Sequence, residues 1–195
     1  VWAPHYHDLC LVGHVLGPVY YGYESTLMSP MAFLLKPVRW LRAMSYYKIA
    51  NTACPNFGYA YSARRIKAEE CEGLDLSHWM VAGNGGGPVL PETMDVFMEK
   101  FGPYGFRPQA FMPTYGMAES VLFVAGMKPL SQPPRVLTLS AADLESHTVR
   151  VLDDKAPGGR KAVSCGSPGY GHRVIAVDPE TLTPSNPDKV GELWV

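Results

Sequence analysis

The chain has 195 residues, 47% of them hydrophobic, with 17 Lys and Arg against 18 Asp and Glu and a pI near 6.6. Ten basic and ten acidic residues lie up to Leu130, and seven basic and eight acidic beyond it. This even balance excludes a nucleic-acid platform and an anionic-membrane surface, which need clustered Lys and Arg, and the apolar content excludes a disordered chain.

Four cysteines, Cys10, Cys54, Cys71 and Cys165, lie far apart without zinc-ligand spacing. They read as reduced thiols in a cytoplasmic protein. No run of about 18 apolar residues offers a membrane span, and no signal peptide is visible. The chain opens at Val1-Trp2 and stops within Glu192-Leu193-Trp194-Val195. Both ends read as cut inside structural elements, so the chain is taken as an internal piece of a longer protein.

In chain order, Leu11 to Val19 predicts a short helix starting after Asp8, and Ser25 to Met28 a short strand. Met31 to Tyr47 has helical spacing at Phe33, Trp40, Leu41 and Met44, divided by Pro37. Asn51 to Cys54 predicts a strand and Phe57 to Cys71 a helix with Arg64, Arg65 and Lys67 outward. Trp79 to Ala82 predicts a strand before the loop Asn84-Gly85-Gly86-Gly87-Pro88. Pro91 to Phe101 is the clearest helix: Pro91 suits its first turn, Met94, Phe97, Met98 and Phe101 form its apolar stripe, and Gly102 suits its C-cap. Gln109 to Met112 predicts a strand leading into Thr114-Tyr115-Gly116. Strands alternating with helices imply a parallel sheet with covering helices. The loops after its strands, at Cys54 to Phe57, Asn84 to Pro88 and Thr114 to Glu119, should emerge together at the carboxyl edge, where such sheets bind ligands.

Beyond Leu130, the runs Val136 to Leu139, Thr148 to Leu152, Val174 to Val177 and Glu192 to Val195 read as short strands. Turns fall at Ala156 to Gly159 and Gly166 to Gly169. The fold class is therefore α/β, a parallel sheet with covering helices followed by a β-rich lobe. Residues 1–130 form the first subdomain and 131–195 the second.

Three motifs carry chemistry. The triple glycine at Gly85 to Gly87 suits either a tight turn or close backbone approach to a phosphorylated ligand. Thr114-Tyr115-Gly116-Met117-Ala118-Glu119 places a ring that can stack on a base near a carboxylate that can hold Mg²⁺; a core Tyr and a helix-start Glu are the plain alternative. In His5-Tyr6-His7-Asp8 a zinc site would need ligands that do not cluster nearby, so one pocket-lining His is the preferred reading. His14, His78, His147 and His172 read as structural. Asn56 to Tyr59 and Tyr20-Tyr21-Gly22-Tyr23 read as core, with an apolar ligand channel as the alternative. No nucleophile elbow, Walker loop or GxGxxG is present.

Taken together, these segments resemble the adenylate-forming superfamily and, within it, the fatty acyl-AMP ligases. The resemblance rests on Trp2-Ala3-Pro4-His5-Tyr6-His7-Asp8-Leu9, Leu27-Met28-Ser29-Pro30, Ala53-Cys54-Pro55-Asn56-Phe57, Asn84 to Val89, Phe111 to Glu119, Ser164-Cys165-Gly166 and Val190 to Val195. Their order and spacing carry it across essentially the whole chain. It implies a parent enzyme that joins a fatty acid to ATP, giving an acyl-adenylate for transfer to an acyl carrier protein or a polyketide or peptide synthase module. By resemblance, Gly85, Gly86, Gly87 and Pro88, with Thr114, Tyr115, Gly116, Met117 and Ala118, bind the nucleotide. Glu119 binds Mg²⁺ beside the ATP phosphates, His7 sits near the acyl carboxylate and α-phosphate, and Asn56, Phe57 and Gly58 border the acyl tunnel. Residues 136–161 match the insertion by which acyl-AMP ligases are thought to restrict coenzyme A.

Some positions depart from the family pattern. Gly87 stands where many relatives have Glu, Cys10 where they have Gly, and Ala118 where several acyl-CoA synthetases have Thr. The phosphate loop would precede Val1, and the ribose-binding Asp and the C-terminal lysine would follow Val195, so the chain by itself should catalyse nothing. A fatty acid–CoA ligase and a non-catalytic scaffold of the same fold are the alternatives, and the retained Tyr115, Glu119 and His7 favour an active parent.

Overall fold

The computed structural model describes residues 1–128 and 130–195. The chain starts with a helix in three pieces: α1 (Asp8–Cys10), a π-helical stretch Leu11–Leu16, and α2 (Gly17–Tyr21). Pro18 explains the π stretch. It has no N–H to give the His14 carbonyl four residues back, and its ring crowds that carbonyl, so the ladder widens. Gly17 N–H reaches back to Val12 O, and the released His14 carbonyl accepts instead from Ser25 Oγ at 2.7 Å. Gly22, at φ +73°, ends the helix in the left-handed conformation.

Ser25 to Met28 is not a strand. It lies beside Val1, whose carbonyl accepts from Met28 N–H at 2.8 Å and whose nitrogen donates to Thr26 O at 2.7 Å. Two helices follow, α3 (Pro30–Leu35), capped by Ser29 Oγ, and α4 (Val38–Tyr46), with the break at Pro37 as expected.

The central sheet holds β1 (Asn51–Cys54), β2 (Val81–Asn84), β3 (Phe111–Met117) and β4 (Leu122–Gly126), with α5 (Asn56–Arg65) and α6 (Pro91–Phe101) as crossovers. β1, β2 and β3 are parallel and β4 runs antiparallel to β3. Three boundaries differ from the sequence reading, each for a tertiary reason. α5 stops at Arg65, not Cys71: Ile66 turns extended to bury its side chain, and Lys100 Nζ from α6 donates to the terminal carbonyls of Ala63 and Ile66. Ala68–Cys71 forms a separate 3₁₀ turn. β2 starts at Val81 because Trp79 turns inward, its Nε1–H donating to Val81 O at 2.9 Å. β3 continues through Thr114-Tyr115-Gly116, which pair with β4 and so are strand, not loop. Gly102 does cap α6, but in the right-handed region; the left-handed turn falls at Gly105.

One face of the sheet packs on α5 and α6 through an aromatic core. Tyr59 and Phe97 meet edge to face at 5.2 Å, as do Trp40 and Trp79 at 5.3 Å, and Trp2 stacks on Phe33 at 3.9 Å. Tyr20 and Tyr21 do not join it. They stand 82% and 75% exposed at the end of α2, their rings meeting edge to face at 4.8 Å, which corrects the core reading. Phe57, half exposed against the edge of Trp2, is likewise outside the core.

Beyond residue 130, β5 (Val136–Ser140), α7 (Ala141–Glu145), β6 (Val151–Leu152) and β7 (Gly159–Val163) build a three-stranded antiparallel sheet ordered β6-β5-β7. Thr148 to Leu152 yields only two strand residues, since Thr148 bridges to Lys189 instead. β7 is a strand that the sequence reading does not mark, only its first residue, Gly159, falling in an expected turn. Its Arg160 and Lys161 face solvent, so it carries no alternating apolar signal. β8 (Ser167–Pro168) adds to β4, and β9 (Ile175–Val177) pairs antiparallel with β10 (Glu192–Trp194).

Candidate active site

Side chains alternate across the strands. Thr52, Cys54 and Ala82 point into the core, leaving Asn51, Ala53, Val81 and Gly83 on the opposite face. That face is the floor of a cavity of about 520 Å³. His7, Leu9, Gly13 and His14 of the first helix line one wall; Leu122 and Phe123 line another. Cys54 pairs with Asn84 and Asn84 with Pro113, so the segments after β1 and β2 and the end of β3 converge on one edge, as expected for an open parallel sheet.

Of the expected nucleotide residues, Gly85, Gly86, Thr114, Tyr115, Gly116 and Ala118 all line this cavity. Gly87, Pro88 and Met117 do not. The glycines differ in cause. A Cβ on Gly85 would strike the Thr114 side chain and approach its carbonyl oxygen to 2.9 Å, whereas Gly86 needs its φ of +73°; at Gly87 a Cβ would meet nothing. Tyr115 is half-buried on β3 and its hydroxyl reaches toward Met117 Sδ at 3.9 Å. Glu119 is exposed on the 3₁₀ turn Ala118–Ser120, just outside the cavity lining. The turn that follows is strained: Val121 and Leu122 both hold positive φ, 56° and 94°, which costs a β-branched residue most.

His7 is the N-cap of α1. Its Nδ1 lies 2.6 Å from Asp8 Oδ1, and the same oxygen accepts from Leu9 N–H at 2.7 Å. Leu9 N–H also donates to His7 Nδ1 at 3.2 Å, so both contacts fall on Nδ1 and neither uses Nε2. Among the described residues no three His, Cys, Asp or Glu side chains gather as a metal site.

The expected acyl residues occupy a different place. Asn56, Phe57 and Gly58 do not line the cavity; only Pro55 before them does. Gly58 faces the core, where a Cβ would meet the Trp2 ring and Cys54 Sγ. Asn56 works behind the glycine loop. Its Oδ1 accepts from Asn84 Nδ2 at 3.2 Å and Leu90 N–H at 3.1 Å, and its Nδ2 donates to Thr93 Oγ1 at 3.0 Å. One amide thus ties the end of β1 to both ends of the segment Gly85 to Leu90.

Sequence reasoning missed Gly13 and His14, Asn51 and Val81, Met112, and Leu122 with Phe123. The first pair had a signal: His7 and His14 are seven residues apart, two helical turns, and so share a face. His14, read as structural, is 9% exposed in the wall, and burial pushes its pKa down to about 4.

A ligand-sized cavity over the sheet, with a glycine loop, a ring and a helix-capping His at its carboxyl edge, is where an open α/β sheet holds a ligand. The chain belongs to the family described as AMP-binding enzyme, which matches residues 1–195. It is 43% identical to the medium-chain-fatty-acid–[acyl-carrier-protein] ligase JamA of Moorena producens over its whole length, which is 33% of that protein. It is 38% identical to the ligase TtuA of Teredinibacter turnerae, covering 30% of it. The fatty acid AMP ligase of Legionella pneumophila superposes on all of this chain and 33% of its own, with a TM-score of 0.95 at 44% identity. The chain therefore spans about a third of the length of the relatives it matches.

Proposed function

We propose that the protein containing this chain is a fatty acyl-AMP ligase, which joins a fatty acid to ATP as an acyl-adenylate and passes the acyl group to an acyl carrier protein or a polyketide or peptide synthase module. The observation that carries this reading is the cavity over the sheet. At its carboxyl edge stand Gly85, Gly86, Tyr115, Ala118 and His7, and from there an apolar trough of Ala53, Val81, Gly83 and Met112 runs back along the strands. A nucleotide and an aliphatic chain fit there end to end, with the reacting carboxylate and α-phosphate where the two meet. The legionellar enzyme at 44% identity has been solved in complex with acyl adenylate and pyrophosphate, which supports the same arrangement here.

A carboxylate oxygen attacks the α-phosphorus and pyrophosphate leaves. This step needs alignment and charge neutralisation rather than a protein nucleophile. Tyr115 offers a ring face to the adenine, and the Gly85–Gly86 backbone can approach it closely. His7, oriented through Asp8, presents Nε2 toward the reacting groups. Glu119 would hold Mg²⁺. A lone exposed carboxylate fits an ion that keeps water and substrate phosphate oxygens as its other ligands, and bound there it would neutralise phosphate charge.

Transfer to a carrier rather than to coenzyme A is supported by residues 136–161, proposed as an insertion on the second subdomain, 131–195. Their sheet packs Val136 and Val163 against the core and is pinned to a neighbouring loop by Val149 N–H to Asp188 O at 2.7 Å and Val190 N–H to His147 O at 2.9 Å. Four free cysteines support a reducing, cytoplasmic setting, and among the described residues no helix is long and apolar enough to cross a membrane.

The test is fatty-acid-dependent pyrophosphate exchange by the full-length protein, followed by assays with coenzyme A and with a carrier protein. Exchange with little acyl-CoA is expected, and Glu119→Gln should lower exchange by about two orders of magnitude. Abundant acyl-CoA would overturn the carrier assignment, and full exchange by Glu119→Gln would overturn the metal assignment.

A further inference from the structure

We propose that His14 closes the far end of the acyl trough and so sets the longest acid the protein activates; this rests on the acyl-ligase reading above. The trough floor is ruled by strand register. Asn51 pairs with Val81 at the start of the strands and Ala53 with Gly83 one step on, while Pro55 and Gly85 lie at the carboxyl edge. From Asn51 to Pro55 is four residue steps, or about 13 Å at about 3.3 Å each. The first helix runs back over this floor, from His7 at the carboxyl edge to Gly13 and His14 at the closed end.

Behind that end lies a second cavity of about 290 Å³, walled in part by Val1, where the sequence starts. His14 and Asn51 line both cavities, and no other residue is shared. They are the partition. His14 is held in it by its own backbone, since Pro18 releases its carbonyl from the helix ladder and Ser25 Oγ–H takes it up at 2.7 Å. The two chambers differ in character. The first is mostly apolar, while the second carries Glu24, Ser25, Thr26 and Lys48 beside Tyr23 and Ile49. A neutral imidazole can face a methyl terminus on one side and polar groups on the other, and at neutral pH burial keeps His14 uncharged.

Cutting His14 to Ala joins the chambers and gives a longer alkyl end a path past Ile49 and Tyr23. Each methylene newly buried is worth about fourfold in binding. The experiment measures pyrophosphate exchange by the full-length protein with straight-chain acids from hexanoate to palmitate, each variant referred to its own best acid. For His14→Ala the palmitate-to-octanoate ratio should rise by about tenfold, through KM, and for His14→Phe it should fall. A merely structural His14 would lower all acids alike and leave the ratio unmoved. Asn51→Ala opens the same partition from the strand side and decides the matter if His14→Ala does not fold. Wild-type activity with unchanged ratios in the variants overturns the partition alone. No exchange with any acid by the folded wild type overturns the acyl-ligase reading, and this inference with it.

Discussion

The two halves of this chain are stabilised differently. Up to Gly126, the sheet and its helices bury a continuous set of aromatic side chains, and nearly every large, fully buried residue lies there. Beyond residue 130, Thr138, Ser140 and Val177 are buried, while β7 and β8 are largely exposed and held by backbone pairing and tight turns. The first half is a packed scaffold that fixes the site to within a side chain. The second is a set of short ladders tied down at Val136 and Val163. Burial scales with apolar area, whereas an exposed ladder gains little net energy per hydrogen bond, so the two should respond very differently to substitution.

The largest effect should come from Trp79, whose ring contacts Trp40, Phe97 and Phe106 at the centre of the scaffold. Trp79→Ala should destabilise the full-length protein by about 3–5 kcal/mol, read from its denaturant midpoint. A loss below about 1 kcal/mol would mean that the first half is no more tightly packed than the second.

Next in size is a pH effect confined to the scaffold. His14 has a folded pKa of about 4, depressed chiefly by burial, against about 6.5 when unfolded. Between those values the unfolded chain binds a proton that the folded chain does not. Stability is therefore intact above about pH 6.5 and falls as pH drops toward 4, by about 3 kcal/mol at most. Denaturation across that window should steepen with acid for the wild type and flatten for His14→Phe.

Asn56 sharpens the comparison at the site. Asn56→Ala strands Asn84 Nδ2 and Leu90 N–H, a loss of about 1–3 kcal/mol, and should loosen the glycine loop so that the KM for ATP rises while the acid-length profile stays put. A changed profile with an unchanged KM for ATP would return Asn56 to the acyl tunnel. The smallest effect belongs to the second half. Val151, 57% exposed on β6, should tolerate Val151→Thr within about 0.5 kcal/mol on the same denaturation assay.

Local chemistry settled much of this architecture. Pro91 at a helix start and the stripe through Met94, Phe97 and Phe101 specify α6 to the residue, because both signals act within one or two turns. Pro37 divides α3 from α4, and Asn51 to Cys54 is a strand in the sequence and in the fold. Gly85 to Pro88 and Thr114 to Glu119 were marked as loops at the carboxyl edge by the strands expected before them, while residue type left a tight turn and a core Tyr open and the family resemblance supplied the nucleotide role. Tertiary structure decided the rest, because the deciding partners lie far away in sequence. Lys100 reaches thirty-odd residues back to stop α5, and β4 turns Thr114-Tyr115-Gly116 from loop into strand. The missed cavity residues Asn51, Val81 and Met112 look like ordinary strand positions until the register sets them side by side. His14 looks like any buried histidine until the helix is laid over that floor. Short-range signals fix which element forms and where it starts; which face meets a ligand depends on long-range pairing that no local pattern encodes.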